Sequence, residues 1–524
     1  MQSGTVAVVG NGPVGQTAAL LLAKWGIRVV LLDGRPERDP IGSKAICQQR
    51  DVLDVWEAVG AGRRIAGEGV TWTTARTFYR DRELFAYSLA DPGRSAFPPF
   101  VNISQARTEQ ILDELIADRP LIDVRWGHHV TGIDQDGDGV TLHCEGRPPV
   151  RADYAIACAG AKGDEVRRML GVSFDGHSFD DRFLICDIRA HLPGWAEERR
   201  FYFDPEWNPG RQVLIHPCPD STFRIDWQVP GGYDLEAEER SGALDARIRA
   251  IVGERPYEIV WKSVYRFHSR VVDRMRVGRV LLAGDCAHLV SPFGARGLNS
   301  GVGDAENAAW KLAFVLRGWA SDRLLDTYHE ERHAAARENL EVTTATMNFL
   351  VPQDEEQRRR RLELLEAAQR DQAAAANVDS GRLCEPFWYV ASSLTTPDSS
   401  RPFAGRPPRG HVPSPGPGIL VPDVPVSAPG CARLRELARD GFLVLAAPGA
   451  PAGEPVVAGV PVRTVELAGI DVTGVLGDSL GARPGELWVI RPDAHVAGVA
   501  TDPAGATAIL SRALGEPAPL AAAP

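Results

Sequence analysis

No two of the eight cysteines form a C-x-x-C pair, so neither a zinc site nor a dithiol redox centre is indicated. Cys47, Cys144, Cys158, Cys186, Cys218, Cys286, Cys384 and Cys431 read as reduced, mostly structural thiols, which suits a cytoplasmic protein. Long apolar runs are missing too: stretches such as AALLLAKWG fall far short of the ~20 residues a membrane helix needs. No secretory leader is expected ahead of the first strand. Basic charge is in deficit, with 58 Lys and Arg against 69 Asp and Glu, a net charge of −11. No basic stripe stands out to neutralise phosphates, so nucleic acid is not an expected partner. The one basic run, RRRR at 358–361, precedes LELLEAAQRD and reads as a solvated helix face. No metal constellation is evident. His128 and His129 are adjacent, and neighbours on a strand point to opposite faces. Nor is a hydrolase expected, for want of a strand-to-helix nucleophile elbow.

What is present begins at residue 5. TVAVVGNGPVGQTAALLLAKWGIRVVLLDGR has the order strand, glycine turn, helix, strand. The strand TVAVV is apolar throughout, as when both faces are buried in a parallel sheet. Gly10, Gly12 and Gly15 make G-x-G-x-x-G, with Pro13 and Val14 inside the turn. Gly10 permits a tight turn, Gly12 lets a pyrophosphate come close, and Gly15 lets helix and strand pack. Gly26 ends the helix, and IRVVLLD finishes at Asp33, near the spacing of about twenty residues expected for a carboxylate on a ribose hydroxyl. A dinucleotide is the expected ligand.

A second ligand-binding pattern lies some 270 residues on. GRVLLA reads as a buried strand and VGDAENAAWKLAFVL as a helix, with AGDCAHLVSPFGARGLNSG between them. Glycines there let backbone N–H groups approach a ligand, and the helix start favours negative charge. A dehydrogenase binding NAD has no need of this second element. Together with GNGPVG and YAIACAGAKGDEVRRMLG (154–171), the segment resembles three motifs of the FAD-dependent aromatic hydroxylases of the p-hydroxybenzoate hydroxylase type. Similarity is greatest to the phenolic-acid and polyketide hydroxylases of that group, and it covers roughly residues 1–400.

The resemblance implies a non-covalent FAD, NADPH or NADH as a transient co-substrate, molecular oxygen, and a small aromatic substrate. It implies a hydroxylation of a phenolic or polycyclic ring through a C4a-hydroperoxyflavin. It assigns Asp285 to the ribityl chain, Asp33 to the adenosine ribose, and Gly34 and Arg35 to the adenine side. Lys44, Gln105 and Gly160 fall at cofactor positions, and Pro292, Gly297, Leu298 and Asn299 fall against the flavin ring. Tyr202, Arg224, Tyr265, Pro292 and Phe293 are the substrate candidates; His216, His268 and Arg296 are the candidates for catalysis. The chain also departs from the family pattern. Ala159 precedes Gly160 where an acidic residue is usual, with Asp164 a nearby substitute, Lys44 replaces an arginine, and Arg296 replaces a glutamine.

The expected fold is α/β: a Rossmann-type FAD domain, an antiparallel substrate sheet, and a thioredoxin-like C-terminal domain without C-x-x-C. The FAD domain takes residues 1–175, with 276–320 returning to it, and the substrate sheet takes 176–275. A helical region follows at 321–395, a Pro-rich connector at 396–430, and the last domain at 431–518. The tail then has a structural or oligomerising role, a homodimer or larger homo-oligomer being left open. Two alternatives stand beside hydroxylation: a Baeyer–Villiger or epoxidising reaction on the same scaffold, and a flavin-binding protein without turnover.

Overall fold

The computed structural model describes residues 4–39, 42, 44–89, 95–408, 411–453 and 455–516. The expected end of the last domain, at 518, lies outside them. A six-stranded sheet has the order Arg276–Val277, Val280–Leu282, Tyr154–Ala157, Thr5–Val9, Arg28–Asp33 and Ile122–Trp126. Every neighbouring pair is parallel except the outermost, Arg276–Val277 on Val280–Leu282. Val6, Ala7, Val8, Ala155, Ile156 and Leu281 are wholly buried, which accounts for strands apolar on both faces. Helices Pro13–Lys24 and Arg296–Leu316 pack side by side on this sheet's core. Strands Val130–Gln135, Val140–Cys144 and Arg147–Ala152 form a separate small antiparallel sheet.

The second large sheet has eight strands. Its order is His288–Leu289, Tyr257–Val272, Phe174–Ala190, Thr222–Val229, Gln212–Cys218, Glu198–Phe203, Thr74–Tyr79 and Arg82–Ser88. Five of these strands, from Phe174–Ala190 to Tyr257–Val272, fall in the stretch expected to form the substrate sheet. The hairpin Thr74–Ser88 differs from the expected boundaries: it leaves the first 175 residues and pairs in parallel with Glu198–Phe203. Side chains alternate between the two faces. Tyr79, Phe183, Phe201, Phe203 and Phe267 line the front, under Phe293 and the helix Asp326–Leu350. Leu184, Ile188, Val213, Ile225 and Trp227 line the back, covered by Leu244, Ile248 and Val252 of the helix Ala243–Val252.

Near the C-terminus, strands Val462–Glu466, Phe442–Ala446, Leu487–Ile490 and Val496–Ala500 form a four-stranded sheet. The first pair is parallel and the others antiparallel. This unit is joined to the rest by buried contacts. Phe442 packs edge-on against Trp310 and Phe314. Arg491 pairs with Glu331, Arg439 with Glu306, and Arg435 with both Asp51 and Asp54. The string Gly477-Asp478-Ser479-Leu480-Gly481 has nucleophile-elbow spacing, but Ser479 sits inside the helix Val475–Leu480 and not at a strand end. Among the described residues no helix is long and apolar enough to cross a membrane, and no three metal-ligating side chains gather.

Candidate cofactor site

Three motifs far apart in sequence meet because their strands are neighbours. Thr5–Val9, Tyr154–Ala157 and Val280–Leu282 lie side by side and parallel, so Gly10–Gly15, Gly160 and Gly284–Asp285 emerge at one edge. Ligands of open parallel sheets bind at that carboxyl edge. Gly10 has φ +110°, and a Cβ on it would stand 2.2 Å from the Cys158 carbonyl oxygen. A Cβ on Gly15 would stand 1.9 Å from the Gly10 carbonyl oxygen. The protein itself therefore demands glycine at both positions. A Cβ on Gly12 would meet no atom within 4 Å, so Gly12 leaves a cradle free at a helix start that carries no side-chain cap. Val14 serves packing: its side chain is wedged beside Gly284 and Gly301.

Asp33 ends the second strand with its carboxylate engaged. Its Oδ2 accepts the Asn11 N–H at 2.8 Å, and Arg35 donates to both oxygens, from Nε and Nη2, at 2.9 Å each. Burial alone would raise the Asp33 pKa, but these hydrogen bonds outweigh it and hold the carboxyl below its ordinary value. Arg35 thus grips Asp33, and Gly34 beside it is exposed. Arg38, which the sequence reading passed over, donates to Asn11 Oδ1 at 3.1 Å and Glu109 at 2.6 Å, and it pairs with Asp113. Gln105 accepts the Ala45 N–H at 3.1 Å and donates to Glu109 at 2.8 Å, tethering the loop that exposes Lys44.

The Gly-Asp loop rests on a charged cluster the sequence reading also missed. Asp304, wholly buried on the helix Arg296–Leu316, accepts the Gly284 N–H at 2.9 Å, His288 Nε2 at 2.7 Å and Arg332 Nε at 2.7 Å. Its only trace in the sequence is a carboxylate among small residues in GVGDAENAAW. Arg167 donates to the Cys286 carbonyl at 3.1 Å and to Asp164 at 2.5 Å, so it binds the atypical turn after Gly160 to the loop. Asp285 differs from its neighbours. Its carboxylate has no hydrogen-bond partner among the described residues and faces Gly297, where a Cβ would lie 4.0 Å from Oδ1. Burial raises its pKa, opposed by His288, Lys44 and Arg167. The space that glycine keeps clear at Gly12 and the carboxylate without a hydrogen bond at Asp285, on one edge, fit a ligand with a diphosphate and a polyhydroxyl chain, as FAD has.

Beyond the loop, Pro292 is exposed, and Gly297 and Leu298 are half-buried. Asn299 is spent on the backbone: its Nδ2 donates to the Cys47 carbonyl at 2.9 Å and its Oδ1 accepts the Gln49 N–H at 3.0 Å. Arg296 turns the opposite way, donating to Asn339 at 2.7 Å and to the carbonyls of Arg382 and Leu383. There it lines a cavity of about 90 Å³ on the far flank of its helix, with Arg332, Tyr389 and His495.

Strand parity sorts the substrate candidates. Phe293 is buried against Phe183, Phe201 and Phe267 of the front face, with ring centroids 5.3, 6.1 and 6.0 Å away. Tyr265 pairs with Phe183 and shares that face. His216 and Arg224 are opposite each other in register and also point forward. Arg224 donates to Asp187 at 2.8 and 3.0 Å and to the Lys44 carbonyl at 3.2 Å. Burial, then Arg199 and Arg224, push the His216 pKa well below its ordinary value. Tyr202 points backward, stacked on Phe78 at 4.6 Å, in a hollow of about 280 Å³ with Trp195 and Trp207. His268 sits on the strand face opposite Phe267, with its Nδ1 2.7 Å from Ser178 Oγ.

The chain matches the family model described as FAD binding domain over residues 3–343. It is 32% identical over 350 residues to 3-(3-hydroxy-phenyl)propionate/3-hydroxycinnamic acid hydroxylase of Mycobacterium sp. (strain JLS), a match covering 66% of this chain and 60% of that one. It is 30% identical over 344 residues to a probable NADH-specific resorcinol 4-hydroxylase of Rhodococcus jostii (strain RHA1), covering 63% of each. The chain therefore spans less than two thirds of the length of these curated relatives. The fold matches the crystal structure of the flavin-dependent monooxygenase PieE in complex with FAD and substrate. That match has a TM-score of 0.84 at 24% identity and covers 98% of this chain and 99% of that one. Aklavinone-11 hydroxylase, solved with FAD and aklavinone, matches with a TM-score of 0.76 at 24% identity, covering 98% and 99%. With its motifs gathered on one sheet edge and its first 343 residues matching the model almost throughout, the chain belongs to the FAD-binding-domain family.

Proposed function

We propose that this protein is an FAD-dependent, NAD(P)H-using monooxygenase that hydroxylates a phenolic or polycyclic aromatic ring. One observation carries the reading: Gly12, Asp33 and Asp285 stand at strand ends along one edge of the same sheet, and the loop after Asp285 runs directly to the aromatic front of the second sheet. That continuity supports a single chamber shared by a cofactor and an apolar ring. The relatives named above, hydroxylases and monooxygenases, support the same class.

Bound FAD would supply hydride acceptance from NAD(P)H and activation of dioxygen for transfer of one oxygen atom. The protein's part is to bind, orient and keep the chamber dry. Backbone N–H groups at Gly12 and Val14 would receive the pyrophosphate at a positive helix end. Asp33 would share its oxygens between Arg35 and a ribose hydroxyl, and Asp285 would accept from the ribityl chain. The start of the helix Arg296–Leu316 would face the ring edge that gains negative charge on reduction, where N–H dipoles stabilise it. Phe293, Phe183 and Phe267 exclude water from the substrate side.

The expected domain plan belongs to this reading. The six-stranded sheet would be the Rossmann-type FAD domain, the eight-stranded sheet the substrate domain, and the last sheet a thioredoxin-like unit without a dithiol. Eight free thiols, most of them buried, support a reducing, cytoplasmic setting. The test is NADPH and NADH oxidation with a panel of phenolic acids and polycyclic phenols under labelled dioxygen. A matching phenol should accelerate oxidation tenfold or more, ~1.4 kcal/mol off the barrier, and its product should carry one labelled oxygen. Label arriving from water, or no phenol stimulating oxidation, would overturn the reading.

A further inference from the structure

On the front face of the eight-stranded sheet, two rows of side chains run across the strands beside the Lys44 loop. The first contains His216, Arg224, Asp187 and Trp261; the second Leu214, Asp226, Ile185 and Ser263. Asp226 is thus a lone carboxylate in an otherwise uncharged row. Beyond Leu214 the same row continues through Phe201 on the next strand and Thr77 on the one after. The first row meets the loop at Lys44 through Arg224, and the second lies under Phe293 through Phe201. Asp226 therefore stands between the two loops that border the proposed chamber.

A buried carboxylate oxygen without a partner leaves its desolvation cost uncompensated. Asp226 Oδ1 is such an atom: it is sealed from solvent with no hydrogen-bond partner among the described residues. The arginine two residues before it does not relieve it, because Arg224 directs Nε and Nη2 to Asp187. Two charges are matched on one row, and the next row holds a carboxylate with nothing donating to that oxygen. That arrangement awaits a donor supplied by a ligand.

We propose that Asp226 is a catalytic residue that accepts the hydroxyl proton of a phenolic substrate. The inference rests on the hydroxylase reading and names the group that activates the ring. The phenol O–H bond breaks, its proton forms an O–H bond on the Asp226 carboxylate, and the electron pair stays on the phenolate oxygen. One negative charge moves from carboxylate to substrate, so the chamber's net charge is unchanged. The phenolate's extra electron density on the ring is what an electrophilic oxygen needs.

The groups facing Asp226 are known. Arg224 lies on its own strand, Asp187 on one neighbouring strand, His216 on the other, and Arg199 one strand beyond. Burial is the main influence and raises the carboxyl pKa to about 7, with Arg224 opposing, Asp187 reinforcing and Arg199 opposing. An acid raised that far is a better proton acceptor than an ordinary aspartate near neutral pH. His216, held neutral by burial and two arginines, is a poor competitor for the proton. The base must be ionised, so hydroxylation should rise with pH through the Asp226 pKa.

The probe is p-nitrophenol, whose phenolate absorbs at longer wavelength than its phenol. Wild-type holoprotein mixed with it at about pH 7, where Asp226 is part ionised, should show a larger phenolate fraction than Asp226→Asn at the same pH. Asp226→Asn should bind the probe as the phenol, and Asp226→Glu should recover part of the band. With the best substrate of the panel, Asp226→Asn should lower kcat on the order of 100-fold with KM changed less than about threefold. A phenolate band of full strength in Asp226→Asn would overturn the assignment. Should that variant lose its FAD, the wild-type pH profile decides: hydroxylation must rise with pH through a group that titrates at about 7, and a profile without that rise refutes the role. A wild-type protein that neither binds nor hydroxylates any phenol would remove the functional reading itself, and this inference with it.

Discussion

Asp285 and Asp33 are both carboxylates at strand ends of one sheet, yet the protein treats them oppositely. Asp33 is held by Arg35 and a backbone N–H, whereas Asp285 is half-buried without a hydrogen bond among the described residues, and desolvation raises its pKa. A group left unpaired by the fold is one that the ligand completes. Asp285→Ala should therefore weaken FAD binding roughly tenfold or more, ~1.4 kcal/mol, while the apoprotein melts no lower than wild type. A fall in the apoprotein's melting temperature would show that Asp285 serves the fold. The glycines of the turn separate in the same way. Gly15→Ala should destabilise the apoprotein by about 1–3 kcal/mol, since its methyl would collide with the Gly10 carbonyl. Gly12→Ala should leave the apoprotein's melting unchanged and lower only its FAD affinity. Equal losses of stability from the two would refute the separate roles.

Elements decide what single residues cannot. The helix Arg296–Leu316 begins after Gly294 and Ala295, both in left-handed conformation. Its first side chain, Arg296, leaves the cofactor edge and fastens the segment around Arg382 and Leu383. Arg296→Gln should thus act on stability, by about 1–3 kcal/mol from carbonyls left unpaired, before it acts on flavin chemistry. Normal melting with a selective loss of turnover would contradict this. Within the sequence, the period of the glycine turn, the apolar strands and the five strands after residue 175 were legible, because each is a local pattern. The face on which a strand side chain lands was not. Register shifts between Ser178 and Arg182 and between Asp187 and Ile188 break the simple alternation. Tyr202 and Phe201 are neighbours in RRFYFD, yet only Phe201 reaches Phe293. The supports of the Gly-Asp loop were hidden for another reason. Asp304, His288 and Arg332 are spread over more than forty residues, and only the packing of two helices and a strand brings them together.

At the scale of the molecule, the C-terminal unit is held to the rest by buried charge. Glu331 accepts from Lys311, Asn307, Ser392 and Arg491, and Arg491 in turn holds Asp493. Burial opposes ionisation of Glu331, but Arg491 and Lys311 outweigh it and hold its carboxyl well below the ordinary range. A depressed acid contributes stability above its unfolded value of 4.5, and that contribution is lost as pH falls below it. Wild type should lose stability on acidification across that window. Glu331→Gln should be less stable at neutral pH, by about 3–5 kcal/mol for a broken buried network, and should lose less on acidification. Parallel pH curves from denaturant melts of the two proteins would disprove the coupling.

The account as a whole stands on FAD occupying the edge where Gly12, Asp33 and Asp285 meet, so the deciding measurement is the flavin content of the purified protein. The protein should be yellow, and acid precipitation should release about one FAD per chain into the supernatant, as a single site requires. Asp285→Ala should release markedly less. A wild-type protein that carries no flavin and cannot be reconstituted with FAD would contradict the account. So would a cofactor that stays with the precipitate.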